Sequence, residues 1–421
     1  MKVNRRAAAD RERKSMKIPG ILGPVGAVLI AGAWAAPALA ADPDDITVGM
    51  TVSQTGALNV DSVAQMRGYE MWRDEVNAAG GITAGDKHYK VRFVSYDDQS
   101  QGGRVQQLYT RLIVQDKAQF LFSPYSSGLT GTAAVITEQY GKIMVVTGGA
   151  EPKTYELGNK YLFQGISSAD HYLSGAVDAL HAKNPQAHVA FVYSDDPFSK
   201  AVVLAARAQA TEAGLKVVLD ESYPPSTTDF SPVINKIISA KADALLGGGH
   251  YPDGATLARQ LYDQKADLKW VTLLVAPGNE EFSTLGPAAL GISVPSQWEP
   301  RAVYKPDFGP TGDEFAKAFK AKFNLDADYH AASGYTAGMI LQHAVEEAGS
   351  IEPDKVAVAL NALNVTTFFG HIRFATDPQH HGLQVAHEMV LAQWQMKDGK
   401  LERVIVWPKA AATADILFPL H

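Results

Sequence analysis

Phe120-Leu-Phe-Ser-Pro-Tyr-Ser-Ser-Gly-Leu-Thr-Gly-Thr132 is the stretch from which the fold is read. Phe120, Leu121 and Phe122 form a short apolar run bounded by turn residues, the pattern of a strand buried in a parallel sheet. Ser123 and Pro124 end it, because proline has no N–H to give to a ladder. Gly128 permits a tight turn, and a helical period runs from Thr130 to Tyr140. A strand feeding a helix in this way leaves the first backbone N–H groups of the helix unpaired. With the hydroxyls of Ser126 and Ser127 beside them, those donors suit a carboxylate or another anion. The same serines would equally serve as plain helix caps.

Outward from this unit the alternation continues. Ile46–Met50, Tyr89–Tyr96 and Ile143–Val146 read as strands, and Val60–Ala79 and Gln106–Val114 as helices, the first closed by Gly80-Gly81. From Tyr172 the pattern begins again. Strands are expected at His188–Tyr193, Lys216–Glu221, Ala244–Leu246 and Trp270–Val275, with helices at Ala201–Ala213, Phe230–Ser239 and 254–264. Helices at Asp313–Phe323, Tyr329–Ala348 and Pro353–Leu363 follow, then a hairpin of His387–Gln395 and Leu401–Trp407. The expected fold class is α/β, with two doubly wound parallel-sheet lobes. No Pro-, Gly- or Ser-rich linker separates them, which favours several short crossings between interleaved lobes.

Composition narrows the function. The 421 residues are 46% hydrophobic and 20% charged, enough for two cores. The formal charge of -7 has no basic cluster in the expected folded part, which disfavours nucleic acid as a partner. The first 17 residues are rich in Arg and Lys, Ile18–Trp34 carries no charge, and Ala36-Pro-Ala-Leu-Ala40 precedes Ala41-Asp42. This is the layout of a secretory signal over residues 1–40, with Met1 or Met16 as its start. A spanning anchor is disfavoured by Pro19, Gly20, Gly23, Pro24 and Gly26. With no cysteine there is neither a disulfide nor a thiol to carry a lipid, so a free periplasmic protein is expected.

In open α/β sheets ligands sit outside the carboxyl ends of the strands. Five such ends carry small, polar or aromatic residues: Tyr125-Ser126-Ser127, Gly148-Gly149-Ala150, Asp195–Phe198, Gly248–Tyr251 and Pro277-Gly278-Asn279. Facing lobes would make of them a cleft that closes by a hinge. Enzyme signatures are missing: there is no Gly-x-Ser-x-Gly elbow, no phosphate-binding Walker loop and no His-Glu-x-x-His. His371, His380 and His381 near Asp377 read as solvated loop residues rather than as a metal site. Asp97-Asp98 reads as a capping strand end rather than as a pair of acids at work. Trp298 suits hinge packing or a ligand platform. No metal or cofactor is expected.

The order of Ile46-Thr-Val-Gly-Met50, Val76-Asn-Ala-Ala-Gly-Gly-Ile82, Val94-Ser-Tyr-Asp-Asp98, Tyr125-Ser-Ser127 and Thr147-Gly-Gly-Ala150 resembles the leucine/isoleucine/valine-binding family of periplasmic proteins. Asp196-Pro-Phe198, Gly248-Gly-His-Tyr-Pro-Asp253 and Gly334-Tyr-Thr-Ala337 extend the resemblance over residues 45 to 407. It implies a type I bilobal binding protein with a three-crossover hinge near Phe163–Gly165, Ile292–Pro295 and Phe369–Ile372. One lobe would take residues 41–163 and 294–370, the other 164–293 and 371–421. It also implies a role without bond chemistry: a monomer that captures an amino acid or related small carboxylate or amide for an ABC permease of the inner membrane. A soluble sensor presenting the same ligand to a membrane receptor is the alternative within binding proteins, and a periplasmic hydrolase the rival outside them.

By the resemblance, Ser126 and Ser127, beside Tyr125, match the turn that holds the ligand carboxylate. Gly149, Ala150 and Glu151 match a second contact, Phe198 and His250 aromatic contacts from the far lobe, and His330 a later apolar contact. The family often has an acid after the strand at 270–275 that holds the ligand's amino group. Here Ala276-Pro277-Gly278-Asn279 stands there, with Glu280 displaced. Unless Glu151 or Asp253 substitutes, a carboxylate without an α-ammonium, such as an aromatic acid, or an amide-type solute is expected to bind better than leucine or valine.

Overall fold

A computed structural model describes residues 45–302 and 304–420; the candidate signal over residues 1–40 lies outside them. The chain opens with β1 (Asp45–Val52), α1 (Asn59–Ala78), β2 (Ile82–Ala84), β3 (Lys87–Asp97), α2 (Gly102–Val114), β4 (Phe120–Phe122), α3 (Ser127–Gln139), β5 (Met144–Val146) and β6 (Leu162–Gln164). These strands form one sheet in the order β2-β3-β1-β4-β5-β6. All pairs are parallel except the β2–β3 hairpin. The apolar runs Phe120–Phe122 and Met144–Val146 are buried throughout, as central parallel strands covered on both faces must be. Helix α2 buries Val105, Tyr109, Leu112 and Ile113, one face of a 3.6-residue period.

A second set follows: α4 (Ser174–Lys183), β7 (His188–Ser194), α5 (Pro197–Glu212), β8 (Lys216–Tyr223), α6 (Ser231–Ser239), β9 (Ala244–Gly248), α7 (Tyr251–Asp263), β10 (Trp270–Leu273) and β11 (Ser293–Ser296). After them come α8 (Gly312–Phe323), α9 (Tyr329–Ala348), α10 (Pro353–Ala362) and a small β12–β13 hairpin (Asn364–Thr367, Gly370–Arg373) that periodicity did not reveal. The last strands, β14 (Val390–Lys397) and β15 (Lys400–Trp407), return to the second sheet, whose order is β15-β14-β11-β10-β9-β7-β8. β14 runs antiparallel to both β11 and β15, so this edge makes the sheet mixed. Helices α8 to α10 return to the first sheet's side, where α9 packs along α1 and contacts β5. Gly334 of α9 sits so close to α1 that an added Cβ would strike the carbonyl oxygen of Gln65. That approach brings the first turns of α1 and α9 together.

The chain thus passes between the sheets three times, and the three passages are tied to one another. Ser167 on the first donates its N–H to Gln297 Oε1 on the second (2.9 Å) and its hydroxyl to the carbonyl of His387 on the third (2.7 Å). His387 Nε2 closes the ring against the Gln297 carbonyl at 2.9 Å. Among the described residues no helix is long and apolar enough to cross a membrane.

Candidate functional site

Strand order reverses beside β1 and β4 in the first sheet and beside β7 and β9 in the second. Loops leaving such neighbours diverge and leave a crevice between them. The loops after β1, β4 and β5 and those after β7, β9 and β10 meet there.

The serines after β4 anchor this end of the crevice. Ser123 Oγ accepts the backbone N–H groups of Thr147 (3.2 Å) and Gly148 (3.0 Å), tying the end of β4 to the end of β5. Ser127 Oγ does the same for Ala150 (3.0 Å) and Glu151 (3.2 Å). An oxygen that accepts two N–H bonds keeps its own proton to donate. Ser126 caps α3, accepting from the Leu129 N–H at 3.5 Å, with φ at 100°. A non-glycine residue in this left-handed region is strained, and such strain gathers at functional turns. Gly148 is needed for the close approach, since a Cβ there would collide with the Pro124 carbonyl. The first-turn N–H groups of Ser127 and Gly128 have no intrahelical acceptor.

A cavity of about 20 Å³ opens against this turn. Its floor is Ser126, Ser127, Thr147, Gly148 and Ala150, and its walls are chiefly rings: Tyr125, Tyr172, Phe198, His250, Tyr329 and His330, with Ile166 and Val275 between them. Tyr125 meets His250 at 5.6 Å and His330 at 5.2 Å edge to face, Phe198 meets His250 tilted at 5.8 Å, and Tyr329 stacks on His330 at 3.9 Å. The volume is about that of one water. The crevice is therefore closed, with its own side chains filling the space.

Of the residues singled out in the sequence, Tyr125, Ser126, Ser127, Ala150, Phe198, His250 and His330 come together on this cavity. Three others do not border it. Gly149 backs onto Thr130. Glu151 lines an outer groove with Lys153 and Lys200, and burial raises its carboxyl pKa. Trp298 is buried edge to face against Phe315 (5.5 Å) and Phe368 (5.9 Å), the packing role rather than the platform. Asp253 is buried too, but it accepts the Tyr223 hydroxyl at 2.6 Å away from the cavity. The remaining candidates have structural partners. Asp98 accepts the Thr51 and Ser53 hydroxyls, His371 meets Asn364, and His380 meets Asp377. Among the described residues no three metal-binding side chains cluster as a metal site.

Ile166, Tyr172, Val275 and Tyr329 were not anticipated as cavity walls. Tyr329 had a signal, being the neighbour of His330 at the start of α9, whereas Tyr172 is brought in by the chain's passage between sheets. Asp61, also unanticipated, stands in the first turn of α1, the helix after β1. It is fully buried and accepts the Asn279 side-chain N–H at 3.0 Å. His330 lies between Asp61 (4.0 Å) and Asp328 (3.8 Å). Burial opposes a charge on its ring, but the two carboxylates outweigh burial and raise its pKa. Asp328, which also caps α9, is lowered in turn: burial acts against it and His330 prevails. Burial pushes the Tyr125 and Tyr329 phenols well above their ordinary value, so both are neutral hydroxyls at the cavity.

The periplasmic binding protein family model matches residues 45–400. An amino acid binding protein of Pseudomonas aeruginosa is 26% identical over 336 residues, covering 77% of this chain and 85% of that one. Leu/Ile/Val-binding protein homolog 7 of Brucella melitensis is 25% identical over 405 residues, 93% of this chain and 97% of its own. Among solved structures, a leucine-binding protein of Thermotoga maritima superposes with a TM-score of 0.74 at 20% identity, over 87% of this chain and 99% of that one. A solute-binding protein of an R. palustris ABC transporter, solved with benzoate, gives 0.71 at 21% identity over 89% and 99%. At these identities the two structures establish the fold, that of the type I periplasmic binding proteins.

Proposed function

The chain belongs to the periplasmic binding protein family, a family of solute-binding proteins, and on that premise we propose that it is exported, captures a small carboxylate in the crevice between its sheets, and delivers it to an ABC permease. It does no bond chemistry on the ligand. One observation carries the reading: the first turn of α3, with the Ser127 proton and free N–H groups, opens onto a ring-walled cavity at the facing strand ends of both sheets. The R. palustris protein, named as the solute-binding protein of an ABC transporter, supports the permease as partner.

The ligand we favour lacks an α-ammonium. Among the described residues no Asp or Glu borders the cavity, so an ammonium next to the bound carboxylate would be taken from water without an anionic partner on the walls. Glu151 and Asp253, the acids that might have compensated, do not border it either. Flat acids that stack between Tyr125, Phe198, His250 and Tyr329 fit the walls better. Binding is coupled to opening and closing, since the closed crevice has no room for entry.

Mass spectrometry of small molecules retained by protein purified from periplasm tests this reading. A retained organic carboxylate, with a smaller radius of gyration on rebinding, is expected. N-terminal sequencing of the same sample should begin at Ala41. Turnover of the retained molecule would overturn the binding role in favour of hydrolysis.

A further inference from the structure

Four buried polar atoms without hydrogen-bond partners lie together beside the cavity: Asp61 Oδ2, Asn279 Oδ1 and both ring nitrogens of His330. Buried polar groups are nearly always paired, so such a cluster calls for an explanation. The nitrogens face carboxylates, Asp61 at 4.0 Å and Asp328 at 3.8 Å, which accounts for them in part. Asp61 Oδ2 and Asn279 Oδ1 have no donor at all, and both residues are fully buried.

Their position relates them to the ligand. Asp61 belongs to α1 on the first sheet's side, and Asn279 follows β10 of the second sheet. The Asn279–Asp61 hydrogen bond therefore spans the crevice, and opening the crevice breaks it. The pair stands behind His330, which borders the ring-walled cavity, and Asn279 and Asp328 border a further cavity of about 30 Å³ on the other side. Asp61 does not itself border the cavity at the Ser126-Ser127 turn; its neighbour there is the His330 ring, 4.0 Å away. A group at the ligand's opposite end is the one that meets it. Both free atoms are acceptors only, so that group must bring a proton. The charged neighbours do not supply one: Arg67, which borders the second cavity with Asn279, bonds to neither free atom, and Arg403 is held by Glu299 and Glu280 at 3.1 Å each.

Resting on the carboxylate-binding reading above, we propose that Asp61 and Asn279 form a second subsite that reads the far end of the ligand. The ligand is then a flat acid whose remote end carries a hydrogen-bond donor, a phenolic hydroxyl or an amino group. A site built around buried acceptors rejects an analogue that leaves them unpaired far more strongly than an apolar pocket rejects a missing methyl group.

Calorimetric titration of the full chain with 4-hydroxybenzoate, 4-aminobenzoate, benzoate, 4-methylbenzoate and L-leucine tests the subsite. The first two are expected to bind at least about tenfold more tightly than benzoate and 4-methylbenzoate. Asp61→Asn, which puts an N–H where the free acceptor stood, should erase the ratio between the two donor-bearing acids and benzoate, whatever it does to the affinities themselves. Equal binding of the four acids, or a preference that survives Asp61→Asn, overturns the subsite and leaves the solute-binding reading intact. So does binding of L-leucine alone. Failure of all five to bind, with nothing retained from periplasm, overturns both. The wild-type comparison decides the matter even if Asp61→Asn does not fold.

Discussion

The Tyr125 hydroxyl lies 3.2 Å from Nδ1 of His250, and this contact joins the end of β4 in one sheet to the end of β9 in the other. It is a direct link across the closed crevice, independent of any ligand. One net hydrogen bond is worth about 1 kcal/mol, so Tyr125→Phe should shift the open-to-closed ratio of the ligand-free protein by roughly fivefold toward open. Solution scattering without ligand should then give a larger radius of gyration. An unchanged value would mean that the contact does not hold the crevice shut.

The two tied serines separate stability from affinity. Ser123→Ala and Ser127→Ala each strand two backbone N–H groups, at Thr147 and Gly148 or at Ala150 and Glu151. Each should cost about 1–3 kcal/mol of stability, read from the denaturation midpoint. Only Ser127 borders the cavity, so only Ser127→Ala should also weaken the retained ligand, by about tenfold. A matching affinity loss at Ser123→Ala would put the anion on the other side of the turn.

These serines show what a sequence reveals about such a site. Continuous apolar runs announce buried parallel strands, and a ligand's usual place at strand ends then points to Tyr125–Ser127, Phe198 and His250 without any coordinates. Trp298 is ambiguous because a tryptophan beside a glutamate reads alike in a hinge and in a cleft; contact with Phe315 and Phe368 places it in the packing. Glu151 follows the Gly148–Ala150 turn yet lines an outer groove and not the cavity, a distinction that a one-dimensional pattern does not carry. Asp61 resembles any solvated acid in a helix's first turn. Its burial is made by α9 and by Asn279, more than 200 residues away.

Arg403 supplies a test of the scaffold behind the site. It is 4% exposed, its guanidinium meets Glu299 and Glu280 at 3.1 Å each, and it lies 5.3 Å over the Trp394 ring. Glu299 is 5% exposed and Glu280 42%. Removing the buried partner leaves a charge poorly compensated, so Glu299→Ala should cost about 3–5 kcal/mol. Glu280→Ala removes a partner that water screens and should cost at most about 1 kcal/mol. Urea midpoints of the two variants check the ordering; equal losses would mean that Glu299 is not the principal partner.

His387 and His330 impose opposite pH limits on the fold. His387, locked among the three passages between the sheets, is buried, and burial pushes its pKa from 6.5 down to about 4. Between those values the unfolded chain binds a proton that the folded chain refuses. Stability therefore falls as the pH drops from about 6.5 to 4, by on the order of 3 kcal/mol in full. At His330 burial works against the charge, but Asp328 and Asp61 prevail and raise its pKa above 6.5. Its contribution is complete below pH 6.5 and is lost as the pH rises through the raised value, because the folded ring then gives up a proton already absent from the unfolded chain. The two effects predict greatest stability near pH 6.5 with a decline on either side. Thermal midpoints from pH 4 to 9 should trace this dome. His387→Gln, which keeps a donor for the Gln297 carbonyl, should flatten only the acid side, and His330→Gln only the alkaline side. A profile whose two limbs survive both substitutions would assign the titration to other groups.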